Sequence, residues 1–183
     1  TALRNTMVDL DSYLRTLDMK AEIKSFSEKG IKRIVQLISK SNQFNLTTHR
    51  YNEGEILNFL NKDTYYTIQI NLSDTFGDNG IVALVICNKN NGKWMIDTWI
   101  MSCRVLGRRL EEFVFYEIVK AARIAGVKEI IGVYIPTERN YISQDLYEKL
   151  GFTECDDSSQ DYRKWFIDVN CVKFKKIPIE LIS

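Results

Sequence analysis

Ser102-Cys103-Arg104-Val105-Leu106-Gly107-Arg108-Arg109 decides how the rest of this chain is read. It follows a run, Lys93 to Met101, with the composition of a strand, and it opens a segment, Leu110 to Ala125, whose apolar residues recur at helical spacing. A strand that ends in a short basic turn and runs into a helix suits a phosphorylated ligand. The first backbone N–H groups of a helix lack partners within it and sit at the positive end of its dipole. Gly107 lets a phosphate approach the backbone closely, and Arg104, Arg108 and Arg109 add charge around Val105. Cys103 places a candidate nucleophile beside that candidate phosphate cradle.

Upstream of this turn the period of the apolar residues is two. Tyr65 to Leu72, Ile81 to Cys87 and Lys93 to Met101 read as three antiparallel strands, with Ser73 to Gly80 and Asn88 to Gly92 as the turns between them. Before the meander come a short helix at Asp11 to Leu17 capped by Asp9 or Asp11, a strand at Ala21 to Phe26, and an amphipathic helix built on Ile31, Ile34, Val35 and Ile38. A polar linker, Asn42 to Tyr51, leads to a second helix at Asn52 to Leu60. Downstream, the long helix is followed by a buried-looking strand, Glu129 to Ile135, and a helix from Tyr141 to Leu150. Two strands between Phe152 and Lys175, joined by a polar loop at 156–160, close the pattern.

Bulk composition narrows the function classes. A chain of 183 residues with 45% hydrophobic and 27% charged residues is one domain with a full core. Its 25 basic and 24 acidic residues balance, so nucleic acid and membrane surfaces are not expected partners and any positive field is local. Four cysteines without short paired spacing and a single histidine argue against a structural metal site and for a reduced, cytoplasmic setting. The chain opens on Thr1 and not on methionine, which suggests a piece of something longer or a processed or engineered terminus.

The order of strand, two helices, three-strand meander, long helix, strand, helix and two strands resembles the GNAT acyltransferases. The fold this implies is α/β, a mixed, mostly antiparallel sheet flanked by helices, in one domain over 1–183. In that family the turn after the fourth strand holds the pyrophosphate of coenzyme A on backbone amides. Arg104 and Gly107 match its pattern, and Arg109 stands where the family has a small residue. Leu146-Tyr147-Glu148-Lys149-Leu150-Gly151-Phe152 resembles the family's last helix running into Gly-Phe, which implies that Tyr147 protonates a departing thiolate. A narrower resemblance, to the C-terminal region of FkbH-like proteins, rests on Asn42-Gln43-Phe44-Asn45-Leu46-Thr47-Thr48, Phe76-Gly77-Asp78-Asn79-Gly80 and Ser102 to Arg108. Those proteins join a HAD-superfamily domain to a GNAT-like domain and load a glyceryl unit onto an acyl carrier protein. The resemblance implies coenzyme A or phosphopantetheine as the thiol, and the carrier protein and a HAD domain as partners. Residues 1–18 would be the linker from that HAD domain.

Several side chains keep two readings at this stage. Cys103 is a small buried hydrophobe, or a thiolate that takes an acyl group as a thioester. Cys87, Cys155 and Cys171 lack a basic setting and read as inert. Asp97, on ideal alternation, shares a face with Trp99, Met101 and Cys103 and is a base or a hydrogen-bond anchor. Asn42, Gln43, Asn45 and His49 either bind a polar substrate or tie the linker down. The pantetheine or acyl chain would lie between the strands ending near Cys103 and beginning near Glu129. The rival functions are a non-catalytic docking module for carrier proteins and an acetyl-CoA-dependent N-acetyltransferase.

Overall fold

A computed structural model describes residues 2–182, with side chains from Asp9 onward. Five helices, α1 (Ala2–Thr16), α2 (Ile31–Lys40), α3 (Glu53–Leu60), α4 (Leu110–Ile124) and α5 (Leu146–Lys149), flank one sheet. Its strands are β1 (Met19–Lys24), β2 (Tyr65–Asp74), β3 (Gly77–Asn90), β4 (Lys93–Met101), β5 (Glu129–Tyr134), β6 (Thr153–Glu154), β7 (Arg163–Asp168) and β8 (Ile179–Ile182). They lie in the order β6-β7-β5-β4-β3-β2-β1-β8. Neighbours are antiparallel except β4–β5 and β1–β8.

The α/β reading and most elements hold, and the departures have local causes. The first helix begins at Ala2, so Asp9 and Asp11 are interior residues rather than caps, and Leu14 and Leu17 anchor it in the core. Asn52, by contrast, caps α3 with a reciprocal box: its side chain accepts from the Glu55 N–H while the Glu55 carboxylate accepts from the Asn52 N–H. The predicted turn at 73–80 is mostly strand, because β2 and β3 extend to Asp74 and Gly77. The helix expected from Tyr141 to Leu150 is a single turn at Tyr141–Ser143 followed by the short α5. Strand β8 was not legible, since its four residues pair with the distant β1 at the sheet edge.

Two apolar layers sandwich the sheet. One, under α1, α4 and α5, contains Trp94, Ile96, Trp99, Met101, Phe115 and Tyr147; the other, under α2 and α3, contains Ile34, Ile38, Ile56, Leu84, Ile86 and Ile100. Strand β4 serves both layers, and a bulge decides which residue faces which. Opposite Ile86 and Cys87 of β3, the pairing steps from Thr98 to Ile96, leaving Asp97 as the extra residue.

Candidate functional site

Strands β4 and β5 pair in parallel only from Lys93↔Glu129 to Ile96↔Gly132. Beyond that they part, and the gap is closed by the chain itself. Residues 44–47, from the linker that follows α2, run antiparallel to β4 with a bridge at Asn45↔Ile100. The Leu46 N–H donates to Trp99 O (3.3 Å), the Met101 N–H donates to Phe44 O (3.1 Å), and the Ile135 N–H donates to Leu46 O (2.8 Å). Thr47 Oγ1 donates to Asp97 O at 2.7 Å. Asn140 Nδ2, fully buried, donates to Asn45 O at 2.9 Å. Phe44, Asn45, Leu46 and Thr47 are all buried, with Phe44 edge-on to Trp99. This strap is an extra strand in the seam, which is where the sequence reading placed pantetheine or an acyl chain. Asn45 is thereby a tie: its amide donates to Ser41 O and accepts from the Thr48 N–H.

At the bulge end of the strap, Asp97 points to the α3 side of the sheet, away from Trp99 and Met101, since the bulge breaks the alternation. Its carboxylate accepts from Tyr51 OH (2.5 Å) and Thr98 Oγ1 (2.9 Å) and pairs with His49 Nδ1 at 3.3 Å. Burial works to raise the Asp97 pKa, but the bonds from His49, Tyr51 and Thr98 outweigh it and hold it below the usual carboxylate value. The same hydrogen bond, with Coulomb attraction, raises His49 against the opposing effect of burial. His49 is half-exposed, so the pair is a surface-accessible imidazole oriented by a carboxylate. A cleft of about 290 Å³ between α3 and the sheet borders Asp97 and Tyr51.

At the other end of the strap, six residues along the chain from Asp97 and so at most about 20 Å away at strand rise, lies Cys103. Its thiol is exposed and lines a cleft of about 460 Å³ between α2 and the end of β4, together with Arg33, Lys40, Asn42, Gln43 and Arg104. No carboxylate lines this cleft, and among the described residues none of its three cations is in an ion pair. Arg50 braces its wall: one nitrogen reaches the Ile38 and Ser41 carbonyls and another donates to Asn42 Oδ1 at 2.6 Å. Cys171 is also exposed, whereas Cys87 is buried and Cys155 is half-buried. Exposure therefore does not single out Cys103; its cationic cleft does.

The remaining predicted residues divide. Arg104 joins the cleft, but Arg108 and Arg109 are committed elsewhere. Arg108 donates to the nearly covered Asp74 carboxylate at 2.6 Å, and Asn79 and the Phe76 N–H bind that carboxylate too. Arg109 forks onto Glu112 and also binds Asp11. Those bonds hold Arg109 in a left-handed conformation, φ 61°, at the start of α4, where glycine would be less strained. Val105 is a core residue with no exposed surface. Gly107 keeps its positive φ of 77°, and burial raises the Glu111 pKa against the lowering effect of the nearby Gly107 and Glu111 N–H groups.

Tyr147 is also a core residue, which corrects its reading as an acid. It is fully buried against Trp99, Phe152 and Trp165, and among the described residues its hydroxyl makes no hydrogen bond of good geometry, with the Val133 backbone nearby. Burial drives its pKa well above that of an ordinary phenol. The sequence reading missed the strap and the Arg33–Lys40 side of the cleft. The signal for the second was present, since Arg33 and Lys40 are seven residues apart and so nearly aligned on one helix face.

Several N-acetyltransferases of known structure share this arrangement of strands. The ribosomal-protein-S18-alanine N-acetyltransferase of Escherichia coli superposes with a TM-score of 0.62 at 12% identity, over 84% of this chain and 99% of that one. The PaiA N-acetyltransferase of Thermoplasma acidophilum, in complex with coenzyme A, gives 0.64 at 12% identity, over 81% and 98%. Spermidine N-acetyltransferase of Vibrio cholerae, in complex with coenzyme A and spermine, gives 0.61 at 13% identity, over 82% and 96%. The fold is that of the GNAT acetyltransferases. No family model matches the sequence, and no curated protein matches it. Among the described residues no helix is long and apolar enough to cross a membrane.

Proposed function

We propose that this GNAT-fold chain is an acyltransferase that carries its acyl group as a thioester on Cys103, exchanging it with the pantetheine thiol of coenzyme A or of an acyl carrier protein. One observation carries the reading: an exposed thiol at the rim of a cleft with three unpaired cations and no carboxylate. Such a cleft attracts an anionic, phosphate-bearing ligand and disfavours a cationic amine acceptor. The thiolate of Cys103 attacks the thioester carbonyl, the carbon–sulfur bond to the pantetheine breaks, and the departing thiolate takes a proton. The second transfer reverses these steps onto another thiol. Asn42 and Gln43 line the same cleft and supply polar contacts for a hydroxylated acyl group or the pantetheine amides.

The narrower FkbH-like assignment, with its glyceryl unit and its HAD and carrier-protein partners, belongs to this proposal. It rests on the sequence resemblance, and the stretches that carry it lie at two places in the fold. Asn42 and Gln43 share the cleft with Cys103 and Arg104, and the 76–80 hairpin is tied to Arg108 through Asp74. The competing N-acetyltransferase reading draws on the His49–Asp97 pair at the β4 bulge, which would serve as a base for an amine.

Intact-mass spectrometry after incubation with acyl-CoA or with acylated carrier protein tests these readings. The thioester route expects one acyl adduct on the Cys103 peptide, absent in Cys103→Ser and removed by hydroxylamine. Acyl transfer to an amine by an unadducted enzyme, undiminished in Cys103→Ser and lost in Asp97→Asn, would refute it in favour of N-acetyl transfer. Carrier binding with no adduct would leave a docking module.

A further inference from the structure

The GNAT resemblance places the arm of coenzyme A in the β4–β5 seam and its phosphates on the turn before α4. Neither place is open here. The backbone groups that β4 turns toward β5, Trp99 C=O and Met101 N–H, are bonded to the strap, and the Ile135 N–H on the far side is bonded to it as well. The strap runs antiparallel to β4 from its Ser102 end, where the turn lies, to the Asp97 bulge, the length of the seam. Its side chains are not a loose cover: Phe44 and Leu46 belong to the core, and Asn140 pins its backbone from below. At the turn, the Glu111 carboxyl, its pKa raised by burial, lies near the Gly107 and Glu111 amides, where a phosphate would sit.

We infer that residues 44–47 are a built-in occupant of the coenzyme seam, so that a pantetheine thiol meets this chain in the open cleft at Cys103 and not between β4 and β5. The inference deepens the proposed function and rests on it for the identity of the ligand, but the occupancy of the seam stands on the hydrogen bonds alone. It also accounts for a GNAT fold with a nucleophile at the wrong end. A base at the bulge serves an acyl group delivered along the seam, whereas a thiol at the turn serves one that arrives from outside.

Hydrogen exchange on the intact wild-type chain, with and without millimolar coenzyme A, tests it without any folding-impaired variant. The amides of Leu46, Met101 and Ile135 are expected to be among the slowest and to change by less than about twofold with coenzyme A, since they open only with the core. Protection confined to residues 40–43 and 102–104 supports the inference, and no change anywhere would overturn the cleft as the place where the thiol meets this chain. Fast exchange at Leu46 in the free protein would overturn the inference. So would a change of about tenfold or more at Leu46 and Met101 on adding coenzyme A, which would mean that the strap is displaced. These outcomes are independent of the mass measurement: a Cys103 adduct with a displaced strap sinks only the inference, and an intact strap without an adduct sinks only the thioester route.

Discussion

Gly132→Ala is expected to be among the most damaging single-methyl additions in the sheet. Gly132 lies on β5 with an ordinary strand conformation, so backbone strain is not the issue; space is. A Cβ built there would stand 2.4 Å from Tyr147 Cε1, 2.5 Å from Cζ and 2.6 Å from Cδ1, well inside van der Waals contact. The ring has nowhere to go, because it is fully buried between Trp99, Phe152 and Trp165. Overpacking of this kind destabilises by about 1–3 kcal/mol, and a rigid aromatic wall puts this case at the upper end. Urea denaturation followed by tryptophan fluorescence measures it, with the midpoint falling at unchanged slope. Tyr147→Leu removes the ring and leaves a partial cavity, so by itself it is expected to destabilise by about 2–4 kcal/mol. In that background the added methyl fills space, and the coupling between the two substitutions should exceed about 1 kcal/mol in the favourable direction. Tyr147→Phe keeps the clashing ring and removes a hydroxyl that makes no hydrogen bond of good geometry among the described residues, so it is expected to be within about 0.5 kcal/mol of wild type and equally able to acylate Cys103. A Gly132→Ala loss below about 0.5 kcal/mol, or no relief in the Tyr147→Leu background, would refute the placement of Tyr147 in the core.

The single histidine makes the bulge site directly observable: the His49 ring protons should titrate above the ordinary histidine value by NMR, and Asp97→Asn should lower that midpoint. Because the folded state favours protonated His49, its contribution to stability is present at low pH and fades as pH rises through the raised value; Asp97, held low, contributes above the ordinary carboxylate value and loses this as pH falls. The stability attributable to the pair should therefore peak between about pH 4 and 6.5 and flatten in Asp97→Asn, as followed by thermal melts across pH. Arg108→Ala strands the covered Asp74 carboxylate and is expected to destabilise by about 1–3 kcal/mol in urea titration, with Asp74→Asn in the same background restoring part of it. No loss in Arg108→Ala would mean that this arginine is free for a ligand after all.

Periodicity along the chain was enough for the α/β class, for the exact span of β4 and for the strand–turn–helix frame around Cys103, because each is a local matter of which side chains recur and where glycine is needed. Resemblance of order and motif was enough for the GNAT fold. The identity of the cleft residues was half legible: Cys103, Arg104, Asn42 and Gln43 were singled out, while Arg33 and Lys40 were not. What no local pattern revealed is where each charge is spent. Arg108 and Arg109 look alike in sequence and are neutralised by Asp74, and by Glu112 and Asp11, two of which lie far along the chain. Asp97 reads as sharing a face with Trp99 and Met101 until a one-residue bulge, set by pairing with β3, turns it to the other face. The strap is the largest such case. A polar linker has no periodicity to announce a strand, and residues 44–47 become one only because β4 and β5 diverge and leave backbone groups that must find partners.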